Sequence, residues 1–233
     1  MNVVMINGSL RKESTYNIGK LLINKLISEK DTLKEFFLPR DLPKFCCGCN
    51  TCFTKSEENC PHYEYTSILT KAMDEADFLL FTTPVYVYHT SGQMKTFLDH
   101  YGYRWMVHRP SGVMFKKVAV IISTAAGGGM KSTNKDIKDS LDFWGVGKTY
   151  PYGKGVAAIS WDGVSNKKKQ RINLDIDSLA RKVRNRISNP HPSIKVKSIF
   201  YIMRMMQKKV GFNKPDVDYW NAQGWLGKVR PWR

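Results

Sequence analysis

Apolar positions along the chain alternate between two periods. Short runs suited to strands buried on both faces occupy Val3 to Ile6, Leu33 to Leu38, Phe78 to Thr82, Val118 to Ser123 and Val156 to Ser160. Between and beyond them apolar residues recur at helical spacing. Ile18, Leu21, Leu22 and Leu26 form one stripe, Met94, Phe97, Leu98 and Tyr101 a second, and Ile137, Leu141 and Trp144 a third. Ile172, Ile176, Leu179, Val183 and Ile187 form a fourth. Strands alternating with helices predict an α/β domain, doubly wound around a five-stranded parallel sheet. Such sheets bind ligands beyond the carboxyl ends of the strands, where the strand order reverses. The loops leaving the predicted strands are therefore where chemistry is expected.

A chain of 233 residues can bury one sizeable core and carry an appendage. The patterning predicts a domain over 1–188, with a cysteine-rich loop inserted at 45–62, and a basic, aromatic C-terminal extension over 189–233. No run approaches the roughly 20 apolar residues that span a bilayer, and the first residues lack the pattern of a secretory signal, so the cytoplasm is the expected location. Net charge is +17 and unevenly spread: residues 1–160 hold 20 Lys and Arg against 15 Asp and Glu, residues 161–233 hold 17 against 5. Such a surplus suits nucleic acid, an anionic membrane or an acidic partner, although a solvated basic face is the commoner meaning. No helix-turn-helix, zinc-finger or RNA-binding signature is present, and no nucleic acid is expected as a partner.

The segment INGSLRKESTYNIGK falls where the first strand meets the first helix. Gly8 permits a tight turn, Ser9, Ser14 and Thr15 supply hydroxyls, Arg11 supplies a fixed cation, and Asn17 stands with the free amides of the first helical turn. Either this is a phosphate cradle or it is an ordinary capped turn, since Ser and Thr also favour helix starts. It is neither a P-loop, which needs Gly-Lys-Ser/Thr, nor the three-glycine dinucleotide fingerprint. Two further loops fall at the same edge. One is TTPVYVYHTSGQMKTFLDH, with Tyr86 and Tyr88 as aromatic surface. The other is STAAGGGMKST, whose backbone amides can approach a flat ring.

GSLRKESTYN resembles the Gly-Ser-x-Arg-x-x-Ser-x-x-Asn phosphate loop of the NAD(P)H-dependent FMN reductase family, and ADFLLFTTPVYVYHTSGQMKTFLDH resembles that family's second block. The likeness covers about residues 1 to 160. It implies a flavodoxin-like fold with strand order 2-1-3-4-5, and FMN held at the phosphate by Ser9, Arg11, Ser14, Thr15 and Asn17. It also implies that Pro84, Val85, Tyr86 and Val87 border the isoalloxazine, and that the loop from Thr124 through Ala125, Gly127 and Gly128 closes over the ring. The implied activity is electron transfer from NAD(P)H through FMN to a small acceptor such as a quinone, a nitro or azo compound or free flavin. The implied assembly is a homodimer or tetramer. The flavin carries that chemistry, so no catalytic side chain is assigned.

All five cysteines lie in FCCGCNTCFTKSEENCPHY. Cys46, Cys49 and Cys52 are spaced C-x2-C-x2-C, and Cys60 follows after seven residues, with Cys47 outside the pattern. Clustered thiols of this kind suggest metal or redox chemistry rather than disulfides. Three readings stand: a [4Fe-4S] cluster on Cys46, Cys49, Cys52 and Cys60, a zinc ion, or redox-active free thiols. The loop resembles that of iron–sulfur flavoproteins, whose likeness implies the cluster and an electron-carrier role.

Residues 193–210 read as a basic amphipathic helix with Ile199, Ile202, Met203, Met206 and Val210 on one face. That pattern suits packing on protein, or less commonly contact with an anionic membrane surface. Tyr219, Trp220, Trp225 and Trp232 follow, and aromatics of that size need burial; docking across a dimer is expected to supply it.

Overall fold

The computed structural model describes residues 1–233. Five parallel strands form its centre: β1 (Asn2–Asn7), β2 (Thr32–Phe37), β3 (Phe78–Tyr86), β5 (Val118–Ala125) and β6 (Lys148–Gly155). The two-residue β4 (His89–Thr90) only folds back on the end of β3. The sheet order is β2-β1-β3-β5-β6, which is 2-1-3-4-5 when the parallel strands alone are counted. The order reverses between β1 and β3, so the site is expected beyond their carboxyl ends.

Alternation along each strand divides the core in two. Val4, Ile6, Leu79, Phe81, Ala119 and Ile121 face α3 (Tyr63–Glu75), α4 (Gly92–His100) and α5 (Met130–Phe143). Val3, Met5, Leu80, Val120 and Ile122 face α1 (Ser14–Leu26) and α6 (Asn166–Ser188). Four predicted strands and four predicted helix stripes coincide with these elements.

The last strand does not. Val156 to Ser160 forms no strand; the edge position belongs to Lys148–Gly155, whose Pro151 pairs opposite Ile121. Proline and glycine are tolerated there because an edge strand leaves one row of amides unpaired. The apolar run after it leaves the sheet at Val156, whose amide bonds Ala125 O at 2.8 Å, and turns at Ala157 with φ +51°.

Beyond the sheet lie α7 (Ile194–Lys209) and α8 (Lys214–Ala222). α7 is rotated from its expected face. Val196, Phe200 and Gln207 are buried, whereas Ile202 and Val210 are exposed. The buried face carries Val196 and Phe200 into an apolar cluster, and Gln207, which a hydrophobic pattern reads as outward, joins it with its Nε2 donating to Val107 O at 2.6 Å. Two of the aromatics, Trp220 and Trp225, are buried within the chain itself, and Tyr219 and Trp232 pack against them partly buried. Trp220 and Trp225 join Phe200, Met106 and Phe115 in a third core.

Candidate functional site

At the reversal point the first turn of α1 faces an open cleft of about 250 Å³. Gly8 opens the loop. Its amide donates to Thr82 O at 2.7 Å, and its carbonyl accepts from Ser91 Oγ at 2.6 Å. A Cβ at Gly8 would lie 2.8 Å from Ser91 Oγ and 3.0 Å from Thr83 Oγ1, so any side chain would force a shift where the loop meets β3 and the start of α4. Ser9 Oγ then accepts the amide of Arg11 at 3.1 Å, bending the chain into α1. The helix begins without a side-chain cap and with no acidic residue in its first turn. Its first amides therefore reach the cleft unpaired, at the positive end of the helix dipole.

Ser14 is only 5% exposed, and its Oγ has no hydrogen-bond partner. A buried unpaired hydroxyl at a helix N-terminus is the donor an anion needs. Thr15 Oγ1 meets Thr124 Oγ1 across the cleft, linking α1 to the end of β5. Arg11 Nη2 donates to Ile159 O at 3.3 Å, and Glu13 Oε2 accepts the amide of Trp161 at 2.7 Å. These two bonds fold the segment after β6 over the anion end. That is why Val156, Ala158 and Ile159 line the cleft, a role their strand-like pattern concealed.

Ser9, Arg11, Ser14 and Thr15 all border this cleft, as do Pro84, Val85, Tyr86, Thr124 and Ala125. Four other expected residues lie outside its lining. Asn17 spends its amide on Lys12 O and Glu13 O, at 2.9 and 3.1 Å, and so braces the loop. Val87 is 93% exposed at the tip of the β3–β4 hairpin. Gly127 and Gly128 lie beyond Ala126, with Gly128 against the Tyr88 ring. Asn7, Glu13, Tyr16, Thr82 and Ala126 also border the cleft. Of these Asn7 was legible in principle as the polar end of an apolar strand. Its Oδ1 accepts from Thr82 Oγ1 at 2.7 Å.

The hairpin tip is strained, since Val87 and Tyr88 both have positive φ, +49° and +64°. A β-branched residue adopts that region only when its surroundings impose it. α5 does so: Asp136 accepts the Thr90 amide at 3.1 Å and pairs with His89, and Ser132 Oγ donates to Tyr88 O. Tyr86 and Tyr88 are thereby presented to solvent beside the cleft.

The cysteines form a separate feature. Cys46, Cys47 and Cys49 are exposed in an irregular loop, Cys52 sits half-buried on α2 (Thr51–Thr54), and Cys60 closes the loop. No three His, Cys, Asp or Glu side chains are set around a common point. The thiols thus share a neighbourhood, and as arranged they do not fit a metal or cluster. Their environments differ. Burial pushes the Cys52 thiol up to about 11, with the charges of Cys60, Cys46 and Cys49 adding to the rise. Hydrogen bonds from the Thr51 hydroxyl and amide hold the Cys49 thiol below its ordinary value. Since the thiolate is the nucleophile, Cys49 should be alkylated first at neutral pH and Cys52 last. Peptide mass spectrometry after timed iodoacetamide labelling checks that order; prior labelling of Cys52 would contradict it. Beside Cys60, His100 donates from Nδ1 to Thr96 O at 2.8 Å, leaving Nε2 to accept from His62 Nδ1 at 2.9 Å.

The family model for NADPH-dependent FMN reductase matches residues 1–160. An iron-sulfur flavoprotein of Methanocaldococcus jannaschii is 26% identical, over 80% of this chain and 94% of its own. One of Archaeoglobus fulgidus is 24% identical, over 97% and 100%. Among solved structures, an FMN-dependent NADH-azoreductase of Bacillus anthracis in complex with FMN superposes with TM-score 0.57 at 14% identity, covering 77% of this chain and all of that one. An NAD(P)H:quinone oxidoreductase of Methanothermobacter marburgensis gives 0.59 at 16%, covering 79% and 97%. No helix is long and apolar enough to cross a membrane.

Proposed function

Because this chain belongs to the NADPH-dependent FMN reductase family, a family of FMN-dependent NAD(P)H oxidoreductases, we propose that its cleft holds FMN by the phosphate at the start of α1. The reading further assigns it electron transfer from NAD(P)H to a small quinone, nitro, azo or flavin acceptor. The observation that carries it is Ser14 Oγ, buried and unpartnered among the free amides of the first helical turn. Arg11 and Ser9 add a cation and a hydroxyl on the open side, and Thr15 and Thr124 reach the same end. Pro84, Val85 and Tyr86 offer an apolar and aromatic border for a flat ring, with Val156 and Ala158 opposite the solvent.

When bound, FMN supplies the two-electron and one-electron chemistry. The chain's part is to orient the ring, pair the phosphate and keep water from its inner face. No side chain in the cleft is needed as general acid or base. A second copy of the chain is the partner this reading gives to the exposed hairpin tip at Tyr86, Val87 and Tyr88.

A second reading has support of its own, because the archaeal relatives that span most of the chain are named iron-sulfur flavoproteins. Under it the protein would carry electrons between partners, and the loop bearing Cys46, Cys49, Cys52 and Cys60 would have to rearrange from its spread arrangement before those thiols could hold a [4Fe-4S] cluster. One experiment separates the two: an absorption spectrum of anaerobically purified protein, with iron assayed on the same sample and NADPH oxidation followed with menadione as acceptor. Maxima near roughly 370 and 450 nm without iron, together with turnover, support the reductase. A broad shoulder near about 400 nm with about four irons per chain supports the carrier. Protein that is colourless and takes up no added FMN overturns both.

A further inference from the structure

Residues 189–233 and the cysteine loop are the two features that the FMN cleft leaves without a role, and they are joined. The link runs through residues 106–110, the segment between α4 and β5. Three side chains of the 189–233 region grip its carbonyls. Gln207 Nε2 donates to Val107 O at 2.6 Å, Trp220 Nε1 to His108 O at 2.6 Å, and the Tyr219 hydroxyl to Pro110 O at 2.7 Å.

From this gripped segment two side chains turn toward Asp216 of α8, which is fully buried. His108 Nδ1 lies 2.7 Å from Asp216 Oδ2, and Arg109 Nη1 lies 2.5 Å from Oδ1. Asn213 fixes the carboxylate's own backbone, its Oδ1 accepting the Asp216 amide at 2.9 Å. Arg109 is itself 8% exposed, and its fork does not end at the carboxylate. Nη2 donates to Cys52 O, and Nη1 lies 3.5 Å from Phe53 O. The Phe53 ring packs on His108 with centroids 4.6 Å apart, and Asn213 Nδ2 reaches Phe53 O at 3.5 Å.

We infer that the 189–233 region serves as the positioning device for the cysteine loop, with the Asp216–Arg109 pair holding the main chain of Cys52 and Phe53 so that α8 sets the geometry and accessibility of the Cys52 thiol. The geometry requires both halves of the pair. Arginine alone offers a planar fork that can satisfy a carboxylate and two carbonyls together, and lysine cannot reproduce it. A guanidinium buried on two carbonyls needs a counter-charge, and Asp216 is the carboxylate directly on it, with Glu57 a more distant 3.7 Å away and half-exposed. The consequence is chemical. Whatever Cys52 does as a ligand or a redox thiol depends on a helix more than 150 residues further along the chain.

The inference stands apart from the FMN assignment, because none of these residues borders the flavin cleft. The test labels full-length, FMN-loaded protein with iodoacetamide and follows each cysteine by mass spectrometry, with FMN affinity measured alongside by fluorescence quenching. In Arg109→Lys, which keeps the charge and loses the fork, Cys52 should label about tenfold faster or more, while Cys49, already exposed, keeps its rate and FMN affinity stays within about twofold. Asp216→Asn should do the same. Cys52 labelling at the wild-type rate in a folded Arg109→Lys protein would overturn the inference. If neither variant folds, the wild-type protein decides. By hydrogen exchange in rising guanidinium, the amides of 51–54 and of 214–222 should lose protection together, and opening of 51–54 well before α8 would overturn it. Loss of FMN binding without faster Cys52 labelling would likewise count against it.

Discussion

Ser14→Asp protein is expected to leave purification without flavin, and to bind added FMN at least about 100-fold more weakly than wild type. The substitution puts a carboxylate where the structure has a buried, unpartnered hydroxyl at the start of α1. An aspartate there takes the free amides for itself and is favoured by the helix dipole, so the fold should not suffer. A phosphate dianion then loses its donors and meets a like charge in a poorly solvated corner. Riboflavin, which has the ring and no phosphate, is the control: its affinity should move by less than about threefold. Fluorescence titration with both ligands gives the answer. Equal weakening of both would mean that the new carboxylate distorts the cleft, and unchanged FMN affinity would remove the phosphate from α1.

Trp220→Ala should cost about 3–5 kcal/mol of stability, the usual range for emptying a buried aromatic site. Trp220 is fully buried, stacks on Phe200 with centroids 5.1 Å apart, and meets the Trp225 ring edge-on at 5.3 Å. Truncation also strips His108 O of its donor. For a chain of this size the loss corresponds to a fall of roughly 6–20 °C in thermal midpoint. Calorimetry checks it, and a fall of under about 2 °C would show that α7 and α8 add little to the common fold. Because Met106 and Phe115 precede the last two sheet strands, the damage should reach the sheet rather than fray α8 alone.

What could be read from residue order follows from how each element is buried. β1, β3 and β5 are covered on both faces and made of aliphatic and aromatic residues, so their runs announce them. β6 lies at the edge, exposes alternate positions, and carries Pro151, Gly153 and Lys154; its sequence, KTYPYGKG, has no reason to be apolar. The apolar run that follows is apolar because it lines the cleft. α3 also went unseen, since its buried Thr66, Leu69, Ala72 and Met73 mix a polar and a small residue into the stripe. At the cleft, the loop after β1 was legible because hydroxyls, a glycine and an arginine between strand and helix are a local signal. Glu13, Ile159 and Trp161 were not, because the contacts that bring them in join residues 148 apart. The Asp216–Arg109 pair is another case of the kind: each residue looks like an ordinary surface charge until the chain closes on itself.

The order in which the chain leaves the ribosome gives that pair a further meaning. Every residue bordering the cleft at α1 lies between Asn7 and Ile159, whereas the inferred restraint on Cys52 draws on Asp216. At about 5–20 residues per second, the stretch between them takes roughly 3–11 s to synthesise. During that interval Arg109 still lacks Asp216, and only the more distant Glu57 can offset its charge. If the inference holds, newly made protein passes through a stage in which Cys52 lacks this restraint, and that stage ends when α8 arrives.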